Sequence, residues 1–297
     1  MSGIRLGAVY PQTELGGDPR ALELIGRRVE ALGFDYLLMY DHVVGAEHVD
    51  RDPPLWNLGP YTDRHPFHEP LIAFAYLAGI TRTLCFATGV MILPQRQTVL
   101  VAKQAADVAL LSGDRLRLGV GTGWNHVEYA ALGQRFEERG ARLSEQIGYL
   151  RQLWQKPLLS FSGRFDRIER ASILPRPARS IPIWCGGFTE PAFRRAAAMA
   201  DGFIFAGPLE GALAGWRRLQ ELLREAGREP AAFGADYMLQ DASGGGLSVA
   251  GGLDALQRWR DAGGSHAAVV TMGRGYRDPD EHLAHLEACR AGLGLSS

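Results

Sequence analysis

Asp41 and His42 close the second apolar run of the chain, "FDYLLMY" (34–40), and their types could do chemistry. A histidine titrates near neutral pH and can give or take a proton. The carboxylate beside it could pair with that ring or cap backbone amides instead. The segment that begins with this pair, "DHVVGAEHVDRDPPLWNLGPYTDRHPFH" (41–68), holds four of the eight histidines with Trp56, Tyr61 and Phe67. Connections of this length in compact domains are usually functional or disordered, and the aromatic content is unlike a disordered linker. It suits a lid over a flat ligand, with Trp56, Tyr61, His65 and Phe67 as candidate lid and substrate residues. The alternative is an Ω-loop packed on its own rings.

A second group is built on glycine. In "RLRLGVGTGWNHVEY" (115–129), Gly119, Gly121 and Gly123 alternate between an apolar run and a helix start. Backbone amides in such a turn can bind an anion. The pattern is G-x-G-x-G rather than G-x-G-x-x-G, lies in the fourth unit, and has no acid-ended strand about 20 residues on, so a dinucleotide fold is disfavoured. "WCGGFTEP" (184–191) offers another close approach at Gly186 and Gly187, and Thr189 can cap the helix after it. "ATGVMILPQRQ" (87–97) interrupts an apolar strand with Gly89, a sign of a bulge or of a nearby ligand. Cys85, Cys185 and Cys289 are odd in number and far apart, which argues against a disulfide framework and a Cys-type zinc site. Cys185 has no base near it in sequence. His65 with His68, and His282 with His285, read as surface or packing pairs, and no metal is expected.

These residues need a scaffold. Apolar runs alternate with helical patterns from end to end, giving about eight strand–helix units in 297 residues. Strands fall near 4–10, 34–40, 84–93, 115–120, 181–187, 202–207, 233–240 and 267–273. A polar hairpin-like piece around "SFSGRFDRIE" interrupts the series, and 241–252 could be a long loop. Alternation of this kind calls for a parallel sheet with right-handed crossovers, and eight units favour a closed (β/α)8 barrel. Such a barrel places its site in the loops after the strand C-termini. With no linker visible, residues 1–297 are read as one domain. The formal net charge of −1 gives no electrostatic reason for nucleic acid or membrane binding. No apolar run suits a signal peptide or a membrane span, so a cytoplasmic protein is expected.

Several segments together carry a resemblance: "FDYLLMYDHV", "HPFHEPL", "ATGVMILPQRQ", "QAADVALLSGDRLRLGVGTGWNHVEY", "RGARLSEQIGYLRQLW" and "IPIWCGGFTEPAFRRAAAMADGFI". In this order the chain resembles the bacterial luciferase-like superfamily of flavin and deazaflavin oxidoreductases over most of 4–205. The resemblance implies an α/β TIM barrel with an insertion after strand four and a cofactor ring at the C-terminal mouth. It implies a cis peptide at Gly89-Val90, with Thr88, Gly89 and Val90 behind the ring. Gly121, Thr122, Gly123 and Trp124, with Cys185, Gly186, Gly187, Phe188 and Thr189, would lie along the ribityl and phosphate side. His42, paired with Asp41, would handle the substrate proton.

The subgroup most resembled implies coenzyme F420 and hydride transfer to or from a small organic substrate. The alternative is an FMN-dependent monooxygenase that uses reduced flavin and oxygen, with a separate flavin reductase as possible partner. A non-catalytic flavin-binding protein is a third reading. The deazaflavin-dependent sugar-phosphate dehydrogenase pattern is broken twice. Its aromatic a few residues past the histidine is replaced by "VVGAE", and its glutamate directly after the strand-four glycines is Trp124. The sugar-phosphate substrate is therefore not carried over, and Trp124 suggests an apolar or aromatic wall. Relatives often pair through the helices near 70–80 and 99–111, which implies a homodimer.

Overall fold

A computed structural model describes residues 3–52, 54–55 and 61–292. The first unit is β1 (Arg5–Val9) and α1 (Pro19–Ala31). Asp18 caps α1 by accepting from the Arg20 amide at 2.9 Å, and Pro19 fills the first helical position, where no amide partner is needed. The second unit is β2 (Tyr36–Met39), buried along its whole length, and α2 (Pro70–Ile80). The third strand is broken into β3 (Cys85–Thr88) and β4 (Met91–Ile92) by a cis peptide at Gly89-Val90, and α3 (Thr98–Ser112) follows. The fourth is β5 (Leu116–Gly121).

After β5 comes the insertion: a six-residue helix α4 (His126–Ala131), then α5 (Arg139–Gln155) and an antiparallel hairpin of β6 (Leu159–Ser162) and β7 (Arg167–Ala171). Glu145 of α5 holds the hairpin tip by accepting the amides of Arg164, Phe165 and Asp166. The series resumes with β8 (Ile183–Gly186), α6 (Glu190–Met199), β9 (Gly202–Phe205), α7 (Leu209–Glu225) and β10 (Gly234–Leu239). It ends with α8 (Val249–Asp261), β11 (His266–Val269) and α9 (Pro279–Gly292). The segment 241–252 is not all loop: Ser248 caps α8 through the Gly251 amide, so the helix starts at Val249.

β1, β2, β3, β5, β8, β9, β10 and β11 pair in parallel, each with the next, and β11 closes on β1. β4 runs beside the end of β5, with Met91 opposite Val120. Side chains alternate between two apolar layers, one between strands and helices and one filling the barrel.

The N-terminal end of the barrel is plugged. Trp184 and Tyr36 lie there, and a Cβ on Gly7 or Gly234 would stand 2.3 and 2.0 Å from their rings. Arg117 sits over both rings, 4.1 Å from Trp184 and 4.5 Å from Tyr36, and binds Asp236 at 2.6 Å. Tyr36 donates its hydroxyl to the same carboxylate at 2.7 Å. The C-terminal mouth lies at the opposite end, where the loops that follow the strands gather.

Candidate active site

The mouth is floored by small residues and one valine. Val90, just past the strand break, raises its two methyl groups between Gly121 of β5 and Gly186 of β8. A Cβ on Gly121 would lie 2.5 Å from Val90 Cγ2, and one on Gly186 2.7 Å from Cγ1. Gly119 is pressed by the Thr88 carbonyl, 2.0 Å from where its Cβ would be. The close approach that these glycines allow is first of all to the neighbouring strand. What results is an apolar platform bordered by the backbone of 121–123 and 186–188. Gly123 turns the chain with φ +63°, a conformation suited to glycine.

The wall beside the platform centres on His42. Tyr61 stacks on its ring at 3.5 Å between centroids with 28° between planes. Phe67 meets it edge-on at 5.1 Å, and Trp124 stands at 6.2 Å and also packs on Tyr61 and His48. Glu128 of α4 lies under this cage, buried to 1% exposure. It accepts the Val43 and Val44 amides, the Tyr61 hydroxyl at 3.3 Å, and faces His42 Nδ1 at 3.4 Å. Asn125 completes the network: its side-chain amide donates to Tyr61 Oη at 2.8 Å while its oxygen caps α4. Burial alone would raise the Glu128 carboxyl, but the His42 ring and the two amides hold it below its usual value. The group is therefore an anion at neutral pH.

Asp41 does not pair with His42. Its carboxylate is fully buried and binds Arg96 at 2.5 Å and the Ile92 amide at 2.9 Å. Arg96 reaches on to Glu69 at 3.0 Å. Asp41 thus ties the end of β2 to the segment after the strand break and sets where Val90 sits. Glu128 and Arg96 were not singled out by sequence reasoning. Glu128 lies 86 residues from His42, inside "HVEYAA", where a glutamate reads as a solvated helix face.

The other candidates are placed as follows. Thr88 is fully buried and donates its hydroxyl to the Gly119 carbonyl at 2.6 Å, so it holds the two strands together. Cys185 points away from the mouth into the layer between strands and helices, and burial raises its thiol to about 12. Its side chain cannot line a cofactor. Thr189 is the N-cap residue of α6, but only its carbonyl is used, by the Ala192 and Phe193 amides. Phe188 is exposed at the rim. His65 accepts the Thr62 amide at Nδ1, 2.9 Å away, which folds the loop on itself. Trp56 lies outside the described residues. His282 is buried on the Thr271 hydroxyl at 2.8 Å, and His285 faces the Tyr276 hydroxyl at 3.0 Å. Among the described residues no three His, Cys, Asp or Glu side chains converge as a metal set.

The luciferase-like monooxygenase family model matches residues 4–241, most of the chain. The chain belongs to that family. It is 35% identical to an uncharacterized protein of Mycobacterium tuberculosis over 210 residues, 69% of this chain and 72% of that one. It is 32% identical to an F420-dependent glucose-6-phosphate dehydrogenase of Intrasporangium calvum over 195 residues, 63% of this chain and 53% of that protein. The crystal structure of the monooxygenase RslO1 from Streptomyces bottropensis superposes with a TM-score of 0.80 at 16% identity, covering 98% of each chain, and shows the same fold. The cis Gly89-Val90 bond and the insertion after the fourth strand of this luciferase-like chain stand where the resemblance placed them, and the insertion holds the hairpin read from the sequence.

Proposed function

We propose that this luciferase-like oxidoreductase binds coenzyme F420 at the barrel mouth and catalyses hydride transfer to or from a small organic substrate, with His42 as the proton-handling residue. The observation that carries the reading is His42 held between Glu128 and three aromatic rings at the end of β2, beside a platform made of Val90 and two glycines. Gly121 and Gly186 let Val90 seat between them, and the apolar surface that results suits a flat tricyclic ring. The amides of the 121–123 and 186–188 turns border it and could meet an anionic group of the cofactor.

The bound deazaflavin supplies the two-electron chemistry, and the protein supplies orientation and proton handling. Glu128 fixes the tautomer: an Nδ1–H directed at its carboxylate leaves Nε2 to meet the substrate. Tyr61 and Phe67 hold the ring plane and keep water from it. The Asp41–Arg96–Glu69 chain fixes the backbone that carries His42.

The aromatic closure over His42 equally suits an FMN-dependent monooxygenase, where water exclusion matters more. Oxygen uptake separates the two. Anaerobic oxidation of reduced F420 with substrate supports hydride transfer; oxygen consumption that requires reduced FMN supports the monooxygenase. A partner subunit is part of the reading, because Ile72, Val99, Leu100 and Leu111 expose apolar side chains on α2 and α3.

A further inference from the structure

The apolar layer that fills the barrel comes to the surface at the C-terminal mouth. Leu38, Ile204, Met238, Val270 and Met272 are buried in it, whereas Tyr40, Val90 and Ala206 are only partly covered. These three follow the ends of β2, β3 and β9 by one or two residues, so they form the part of the layer that faces the mouth. Cys85, also partly covered, begins β3 at the other end. Of the three at the mouth, Tyr40 alone carries a polar side-chain atom.

Tyr40 is held from two sides. Met39 pairs with Thr88, and the Gly89 amide donates to the Met39 carbonyl at 2.8 Å, so Tyr40 stands beside the Gly89-Val90 peptide. On the other flank the ladder between β1 and β2 ends at Val9 and Leu38, with the Tyr10 amide donating to the Leu38 carbonyl. Gln12 then takes over: its buried side chain donates to the Tyr40 carbonyl at 3.1 Å and accepts the Tyr40 amide at 2.5 Å. The backbone of Tyr40 is thus fully engaged, while its hydroxyl has no hydrogen-bond partner among the described residues. The hydroxyls of Tyr36, Tyr61, Tyr129 and Tyr237 all find one. Burial raises the Tyr40 phenol above its ordinary value, so it is a neutral donor at physiological pH. A half-buried donor without a partner is a cost that an oxygen of a ligand would remove.

We propose that Tyr40 donates its hydroxyl to a carbonyl oxygen on the pyrimidine edge of the bound ring, and so fixes which way the ring lies on the Val90 platform. The proposal rests on reading the mouth as a deazaflavin or flavin site, and it names the residue that orients the ring there. Flavins and deazaflavins share a pyrimidine edge with two carbonyls, and the rest of the ring system is less polar. Met238, Val270 and Met272 add only apolar surface to the layer in which Tyr40 lies. Tyr40 stands level with Val90, so it meets the edge of a ring that rests on that valine. His42, two residues further along the same side of the chain, meets what lies above the ring. The pyrimidine edge then points toward β2, and the tail is left to run past the 121–123 and 186–188 turns.

The test is a fluorescence titration of wild type, Tyr40→Phe and Tyr10→Phe with F420, followed by carbon NMR of bound F420 isotopically labelled at its two pyrimidine carbonyl carbons. FMN labelled at the same two carbons is run beside it. Tyr40→Phe keeps the aromatic packing and removes only the donor. It is expected to weaken binding about three- to tenfold, the worth of one hydrogen bond. One carbonyl resonance should also move upfield from its wild-type position, because a donated hydrogen bond deshields that carbon. Tyr10→Phe removes another unpartnered hydroxyl, one buried in the layer between strands and helices, and is expected to match wild type in both readouts. Unchanged affinity with unmoved resonances would overturn the proposal. So would weaker binding with both carbonyl resonances unmoved, since that is lost packing rather than a lost bond. Failure of the cofactor reading shows separately, as absence of F420 and FMN binding by the wild type, and it would take the proposal with it.

Discussion

At the residue scale, the account turns on how one buried carboxylate organises one imidazole. Glu128 takes two backbone amides of the loop that begins with His42, so it fixes both the ring and the chain that carries it. His42→Ala is expected to cut turnover by about 10² to 10⁴-fold, the usual range for a positioned proton donor, with cofactor affinity unchanged. Steady-state rates beside a cofactor titration check both halves. Turnover equal to wild type would remove His42 from the chemistry. Neither Glu128 nor its role was legible in the sequence, because hydrogen bonds across 84 to 86 residues leave no local pattern. Asp41 was legible as a residue at the right strand end, but its partner was not: Arg96 lies 55 residues away and reads as one of many scattered arginines.

Two other histidines bear on stability. Burial lowers His282 to about 4 and His266 to about 2, both from an ordinary value of 6.5. Each folded value is depressed, so each neutral ring stabilises the fold above about pH 6.5. Below that pH the unfolded chain takes up protons that the folded chain refuses, and the His282 contribution falls until about pH 4. Thermal unfolding from pH 7 to 4 should show a steadily falling midpoint, with a shallower fall in His282→Asn. A midpoint independent of pH over this range would contradict the assignment.

At the scale of elements, the barrel was readable because its strands are short, apolar and buried on both sides, as parallel strands in a barrel must be. β2 and β9 are buried throughout and are bounded by plain stop signals such as Gly33 and Gly207. The break in the third strand was readable from Gly89 alone. Why Gly121 is glycine was not: its neighbour is Val90, in the break of the third strand. The fit of Val90 between two glycines makes a specific prediction. Gly121→Ala should weaken cofactor binding by pushing Val90 into the platform, and adding Val90→Ala should recover part of the loss, a non-additivity expected of touching residues. A titration of the four proteins closes the cycle. Additive effects would mean that Val90 and Gly121 do not act as one surface.

At the scale of the molecule, Trp184, Tyr36, Arg117 and Asp236 fill the N-terminal end of the barrel, and the proposed cofactor and substrate site is therefore placed at the C-terminal mouth. The loops around that mouth are where the sequence was hardest to read. Their contacts join segments far apart in the chain, and Trp56 and its neighbours lie outside the described residues. The exposed apolar side chains of α2 and α3 predict self-association. Ile72, Leu100 and Leu111 are 66%, 51% and 68% exposed, a cost that a partner subunit would remove. Light scattering at micromolar concentration should give twice the chain mass, and Leu100→Asp should shift it toward the monomer. A wild-type monomer would contradict this.

The most direct test of the central claim is a fluorescence titration of the purified protein with coenzyme F420 and, separately, FMN, run beside Gly121→Ala. The account predicts saturable binding of F420 by the wild type, tighter than FMN, and weakened by the substitution. Saturable binding of FMN alone would move the chemistry to oxygen activation. Binding of neither, or binding that Gly121→Ala leaves untouched, would contradict the assignment of the barrel mouth as the cofactor site.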